Sequence, residues 1–328
     1  MTALIETKGL TVRFPTGPLW NRRSFTALHP LDIAIERGQV LGVVGESGSG
    51  KSTLGNALIG RQAPSDGDIL FKGQPLSGQA RRDRAGRFAA VLQHPKWSLN
   101  PMLRIRESVL EPLRIMGTAP AGAAGRAKAG DALEQVSLPG GYQDRFPHEL
   151  SGGQRQRVSI ARALITQPEF VLFDEAVSAL DVSVQAQILN LIKGLQVTQG
   201  FSAIFISHDL AATRYVANRI AVLHAGRLVE DADASVFYGL ASHPYSRGLQ
   251  FASGLTTDPA HELALGKPGL PPTGCALAPR CPMAMDHCRQ TVPELQATSG
   301  ARIACFDVEA GRTALATADA RQTTAGMR

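Results

Sequence analysis

Residues 40–53, Val-Leu-Gly-Val-Val followed by Gly45-Glu46-Ser47-Gly48-Ser49-Gly50-Lys51-Ser52-Thr53, limit the fold more than any other stretch of the chain. An apolar run from Val40 to Val44 reads as a short buried strand. The glycines that follow let backbone N–H groups approach one point closely, and Leu54, Ala57 and Leu58 then recur at helical spacing. Strand, glycine loop and helix in that order match the GxxxxGK[ST] pattern, in which a helix N-terminus and converging amides cradle phosphate. Within it, Lys51 can reach the outer phosphates and Ser52 can bind Mg²⁺. With a strand before it and a helical pattern after it, the match is read as a phosphate cradle rather than a chance glycine-rich turn.

Two further stretches carry chemistry. In 168–181, PEFVLFDEAVSALD, an apolar strand from Phe170 to Phe173 ends in Asp174 and Glu175. A carboxylate at a strand end beside a phosphate site can hold Mg²⁺, and the next can orient or deprotonate an attacking water. In 150–164, LSGGQRQRVSIARAL, Ser151-Gly152-Gly153-Gln154 leads into a helical pattern through Val158, Ile160, Ala161 and Leu164. A Ser-Gly-Gly turn before a helix is an anion site by the same logic, or a plain helix cap if it stands alone.

Together with SALD at 178–181 and Ser-His-Asp at 207–209, these motifs resemble the ATP-binding subunit of an ABC transporter over residues 4–250. The resemblance implies a P-loop ABC ATPase core of α/β class that binds ATP and Mg²⁺ and hydrolyses ATP. It implies Gly45 to Thr53 as the nucleotide cradle and Ser52, Gln93 and Asp174 as Mg²⁺ contacts, Gln93 also coupling to a membrane subunit. Lys51, Glu175 and His208 would be catalytic, His208 contacting the γ-phosphate, and Asp181 would lie in the loop between subunits. Phe14 is the first choice to stack on adenine, with Trp20 and Phe25 as alternatives. In this family ATP is sandwiched between two subunits, so Ser151, Gly152, Gly153 and Gln154 are expected to serve the partner's nucleotide. No internal repeat supplies a second half.

The later text narrows the resemblance. HPYSRGLQ (243–250) and GLPPTGCALAPRCPMAMDHCRQTVPEL (269–295) resemble the C-terminal extension of oligopeptide, dipeptide and nickel importer ATPases. QHPKWSLNP departs from that group's pattern at His94, where Asp is usual, and DEAVSALDVSVQAQ departs at Ala176, where Pro is usual. The wording is similar to the F-type ATPase of such systems, which implies a heterodimer with a second ATPase subunit, two transmembrane permease subunits and a periplasmic substrate-binding protein. It also implies a peripheral position on the cytoplasmic face of the inner membrane. Peptides are the expected cargo, with nickel, another metal–chelator complex or glutathione as alternatives. A soluble ABC ATPase of translation or DNA repair is the rival from another class; it would carry two nucleotide domains or a long coiled-coil insert, and neither is visible. A redox or metal-sensing regulator is a third reading.

The four cysteines all fall late, as Cys275-x5-Cys281-x6-Cys288-x16-Cys305. The N-terminus has no charged segment followed by an apolar core, and no apolar run approaches the 18–20 or so residues of a spanning helix. A cytosolic setting is therefore expected, in which clustered cysteines point to metal or redox chemistry before disulfides. Four thiolates suit a [4Fe–4S] cluster or tetrahedral Zn²⁺, or the thiols are unligated. Zinc sites more often use shorter C-x2–4-C knuckles, and subunits resembling this one carry a cluster in this extension, so the cluster is the first choice and Zn²⁺ the alternative. The role is expected to be structural, because the extension is short and polar and a metal would staple it.

Length and charge set the frame. The chain has 328 residues, 44% of them apolar, and a net charge of +6. Its arginines are scattered rather than massed, and no nucleic acid partner is expected. The sequence divides into a nucleotide-binding domain over 1–250, with a β-rich N-terminal subdomain and a helical insert at about 100–160. A small cysteine-containing extension follows over 251–308, and 309–328 has little to bury and reads as disordered. The tract GTAPAGAAGRAKAG (117–130) is low in complexity and is expected to be mobile at one end.

Overall fold

A computed structural model of the protein describes residues 3–17, 23–79, 84–93, 99–257, 273–298 and 300–307. Trp20, His94 and the 309–328 tail lie outside them. In chain order the elements begin with β1 (Ile5–Thr16), β2 (Arg23–Leu31), β3 (Ala34–Ile35), β4 (Val40–Val44), α1 (Lys51–Leu58), β5 (Asp66–Phe71), β6 (Gln74–Pro75) and β7 (Phe88–Val91). Helices α2 (Ile105–Ile115), α3 (Gly122–Gln135) and α4 (Gly152–Leu164) follow. Then come β8 (Phe170–Asp174), α5 (Val182–Gln199), β9 (Ser202–Ile206), α6 (Leu210–Val216), β10 (Arg219–His224) and β11 (Arg227–Asp233). The last described elements are α7 (Ala234–Leu240), α8 (Pro244–Ala252), α9 (Asp286–Gln290), β12 (Gln296–Thr298) and β13 (Ala301–Ile303).

The larger sheet runs β12-β13-β11-β10-β4-β9-β8-β7. From β10 to β7 its strands are parallel, while β11, β13 and β12 are added antiparallel. Parallel strands covered on both faces need apolar residues at every position, which is why β4, β8 and β9 read as unbroken apolar runs. Alternate residues go to opposite faces. Val40, Val44, Val171, Phe173, Ala203 and Phe205 join the helices in one core. Leu41, Val43, Phe170, Leu172, Ile204 and Ile206 meet α1 and the antiparallel β2-β1-β5-β6 layer in a second. The α/β core and β-rich start expected from the sequence are present, and α2 and α3 lie where a helical insert was read. Among the described residues no helix is long and apolar enough to cross a membrane.

Two stretches join the packed core. Most of the 117–130 tract lies in the helix Gly122–Gln135, which buries Gly125, Ala129, Gly130, Ala132 and Leu133. Its small residues allow close approach to α2, so packing rather than local propensity fixes it. The extension is joined to the larger sheet. Its β13 pairs with β11 in the register Glu230↔Ile303, Asp231↔Arg302 and Ala232↔Ala301, and Ala301, Ile303 and Leu277 are buried in the helix-side core.

Candidate functional site

The site is built where β4 gives way to α1. Gly45 sits at φ 149, and a Cβ there would lie 2.1 Å from the Leu223 carbonyl oxygen, so only glycine lets the loop pass against β10. Gly50, at φ 102, precedes α1 under the Ala27 carbonyl of β2. No side chain caps the start of α1, and the buried Ser49 hydroxyl makes no hydrogen bond. Unsatisfied amides and a free hydroxyl in a glycine cradle are a fit for phosphate oxygens. Buried Lys51 donates from Nζ to the Gly45 and Glu46 carbonyls, both at 2.8 Å. Burial lowers its pKa, while the Glu175, Asp174 and Glu46 carboxylates oppose that shift.

The carboxylates arrive from β8. Asp174 Oδ1 accepts from Ser52 Oγ at 3.0 Å. Its pKa is raised, first by burial and also by the neighbouring Glu175, with the Ser52 hydrogen bond acting against both. Glu175 takes φ 48, a left-handed backbone uncommon for a non-glycine residue. Its N–H donates to the Ile206 carbonyl at the end of β9, and its carbonyl accepts from Ser178 Oγ at 3.0 Å. The strained backbone is thus held from both sides, with the carboxylate turned toward Gln93, whose Nε2 donates to Glu175 Oε2 at 2.7 Å. His208 Nδ1 lies 3.6 Å from the other oxygen, Oε1. Lys51, Ser52, Gln93, Asp174, Glu175 and His208, drawn from four separate stretches, therefore meet at one end of the parallel strands. A hydroxyl, an amide and a carboxylate side by side make a hard-oxygen donor set suited to Mg²⁺.

The remaining predicted residues sit apart from this cluster or at its margin. Ser151 caps α4 in a capping box, its Oγ accepting from the Gln154 N–H and its N–H donating to Gln154 Oε1 at 2.9 Å. Ser151 is exposed and the Gly152–Gln154 turn is half-buried. Asp181 caps α5 by accepting from the Val184 N–H at 3.0 Å. A Cβ on Gly152 would come within 3.8 Å of Leu180 next to Asp181, so the two loops adjoin. Phe14 faces Phe25 across the β1–β2 pair, and both rings are exposed.

The four cysteines line one small cavity of about 20 Å³, with His243, Pro244, Leu277 and Phe306 also in its wall. Burial is the leading cause that raises Cys275, Cys305 and Cys281, the last to about 11. Among the described residues no three His, Cys, Asp or Glu side chains are placed to hold a metal ion. The four cysteines nonetheless converge on this one cavity.

Residues that were given no role in the sequence reading reach the phosphate cradle. Tyr245 of α8 accepts from the Glu46 N–H at 2.7 Å, and both Arg280 amino groups bond the Glu46 carboxylate, at 3.1 and 2.8 Å. These contacts span 199 and 234 positions, and no local pattern announces them.

Comparisons with known proteins agree with this geometry. The family model for ABC transporters matches residues 28–178. A protein of Brucella abortus (strain 2308), named as a peptide import ATP-binding protein, is 41% identical over 312 residues, covering 92% of this chain and 93% of that one. A similarly named protein of Brucella ovis is 41% identical over 305 residues, covering 90% and 94%. Among solved structures, a dimeric bacterial ABC transporter cassette matches with a TM-score of 0.62 at 28% identity, over 70% of this chain and 98% of that one. The same cassette, dimeric in a post-hydrolysis state with ADP and Pi, matches equally well at 27% identity. On the shared length, the identity and the cassette fold, this chain belongs to the ABC transporter family as an ATP-hydrolysing, ATP-binding subunit.

Proposed function

We propose that this chain powers the import of peptides across a bacterial inner membrane, working from the cytoplasmic face with a second ATPase subunit, two permease subunits and a periplasmic binding protein. The observation that carries the reading is the meeting at the mouth of the glycine loop of two adjacent carboxylates, Asp174 bonded by Ser52 and Glu175 flanked by Gln93 and His208. The names of the Brucella relatives support peptides as cargo. A groove of about 500 Å³ between β7, α2 and α4, lined by Phe88, Leu92, Ile115 and Met116, lies beside Gln93 and supports docking of a permease.

In this reading Gly45 to Thr53 enclose the phosphates and Lys51 leaves its loop carbonyls for the outer ones. Glu175 accepts a proton from the attacking water, oriented by Gln93, while His208 steadies the γ-phosphate. Ser52, Gln93 and Asp174 would hold Mg²⁺, which supplies charge neutralisation on the phosphate oxygens. Phe14, exposed on β1, would stack on adenine. Ser151 to Gln154 and Asp181 belong to the face that meets the partner's nucleotide, and a distinct second subunit makes a heterodimer. Glu175→Gln is expected to keep ATP binding and lower turnover by about 10²-fold or more. Undiminished hydrolysis in the assembled complex would overturn the assignment.

The four cysteines are assigned to a cofactor, a [4Fe–4S] cluster first and Zn²⁺ second. Their convergence on one cavity supports this. A cavity of about 20 Å³ has room for roughly one water-sized body, so a cluster requires the cysteine loops to part, and zinc requires less. Either group would supply a cross-link between the segments that carry Cys275, Cys281, Cys288 and Cys305. Protein purified without oxygen should absorb broadly in the visible and contain about four iron and four sulfide per chain. About one zinc and no colour would shift the assignment to zinc, and no metal would remove it.

A further inference from the structure

The cysteine segment is built into the nucleotide cradle through one arginine. Arg280 precedes Cys281, the last of the seven residues that Cys275 opens. Its backbone is fixed by two successive turns, with the Ala278 N–H donating to the Cys275 carbonyl at 3.0 Å and the Arg280 N–H to the Leu277 carbonyl at 2.8 Å. Leu277 and Ala278 are buried, which anchors the turn in the core. From there the guanidinium, only 12% exposed, makes a two-point contact with the Glu46 carboxylate. A planar fork on a carboxylate fixes direction as well as distance.

Glu46 is the second residue of the glycine loop, and each of its polar groups is occupied. The N–H donates to Tyr245 Oη, the carboxylate accepts from Arg280, and the carbonyl accepts from Lys51 Nζ. Tyr245 is fully buried, with its ring 4.3 Å from that of His224. The loop that must present its amides to phosphate is therefore held from outside by Tyr245 and Arg280, while Lys51 draws on the same residue from inside. Gly45, Gly48 and Gly50, at φ 149, 79 and 102, leave the loop little stiffness of its own.

We propose that Arg280 is a positioning residue for ATP binding, and that through it the state of the Cys275–Cys281 segment sets how well the glycine loop is preorganised. This rests on the reading of the loop as an ATP site and of the cysteines as a bridged cluster of ligands. Loss of Arg280 frees the Glu46 side chain and lets the loop sample conformations that do not cradle phosphate, so the effect falls on binding rather than on the chemical step.

The test uses the full chain in the assembled complex with ATP and Mg²⁺, measuring KM and kcat separately. Arg280→Met keeps most of the side-chain volume and removes the charge; it is expected to raise KM about tenfold with kcat within about twofold. Arg280→Lys should recover only part, because a point charge cannot make both bonds. Glu46→Gln should raise KM similarly, and the double variant should be no worse than either single one. Replacing Cys275 and Cys281 by serine should raise KM in the native chain and add nothing beside Arg280→Met. A KM within twofold of the native value for Arg280→Met, or additive losses in the double variant, overturns the proposal. If Arg280→Met does not fold, Glu46→Gln alone decides, a native KM again overturning it. Failure of the ATP-site reading itself would show separately, as undiminished turnover by Glu175→Gln.

Discussion

Gly153 is a glycine for a packing reason that the sequence conceals. A Cβ there would stand 2.5 Å from Val184 Cγ1, in the first turn of the helix that Asp181 caps. Gly152, one residue earlier, has no atom nearer than 3.8 Å. The close approach therefore belongs to one position and locks the start of α4 to the start of α5. Valine is stiff at χ1, so it cannot simply rotate away, and an added methyl must push the two helix starts apart at about 1–3 kcal/mol. In the proposed dimer this face meets the partner's nucleotide. Gly153→Ala should thus leave ATP binding to the free chain intact and reduce hydrolysis in the assembled complex by at least about tenfold. Adding Val184→Ala should restore much of the loss. Unchanged turnover by Gly153→Ala, or no recovery in the double variant, would show that the contact is not what requires glycine.

At the scale of elements, what was legible depended on whether a signal was local. The apolar runs of β4, β8 and β9 are local and unbroken because both faces of those strands are covered, so their positions could be read directly. The β10–β11 pair turns through Ala225 and Gly226, at φ 48 and 74. The phosphate loop, the Asp174–Glu175 pair and His208 were each announced by short motifs, and resemblance supplied Gln93. By contrast, α3 was hidden by its own composition. Glycine and alanine look like a linker when counted, yet at Gly125, Ala129 and Gly130 they are what lets the helix lie close to its neighbours. Strands β12 and β13 have three residues each, too few for any periodicity to register. Tyr245 and Arg280 stood in quoted stretches, but their partner lies some two hundred residues away, and a motif carries no information about such a contact.

For the whole molecule, the same contacts make the extension part of the cassette rather than an appendage. Asp231, on β11 between β10 and β13, has a fully buried side chain flanked by Arg219 and Arg302. Arg302 reaches it with Nε at 3.0 Å and also donates to the Asp32 carbonyl of the antiparallel layer at 3.0 Å. The neighbouring Glu230 is buried as well; burial raises its pKa, and the Ser242 and His243 amides bond it. A chain ending at residue 257 would keep Arg219 and those two amides. It would lose Arg302, the backbone pairing of β13, and the apolar cover of Leu277, Ala301 and Ile303. A buried carboxylate stripped of one charged partner costs about 1–3 kcal/mol, and an exposed edge strand invites association with other chains. The truncated chain is therefore expected to melt below the full chain by more than Arg302→Ala does. A chain of this size loses roughly 2–4 °C for each kcal/mol lost. The truncated chain should also aggregate on heating, where Arg302→Ala does not. Thermal unfolding of the three proteins, followed with light scattering, separates the strand pairing from the ion pair. If the truncated chain melted with the full one, β13 would be riding on a sheet already complete at β11. A melting point equal to that of Arg302→Ala would assign the whole contribution of the extension to the Asp231 charge.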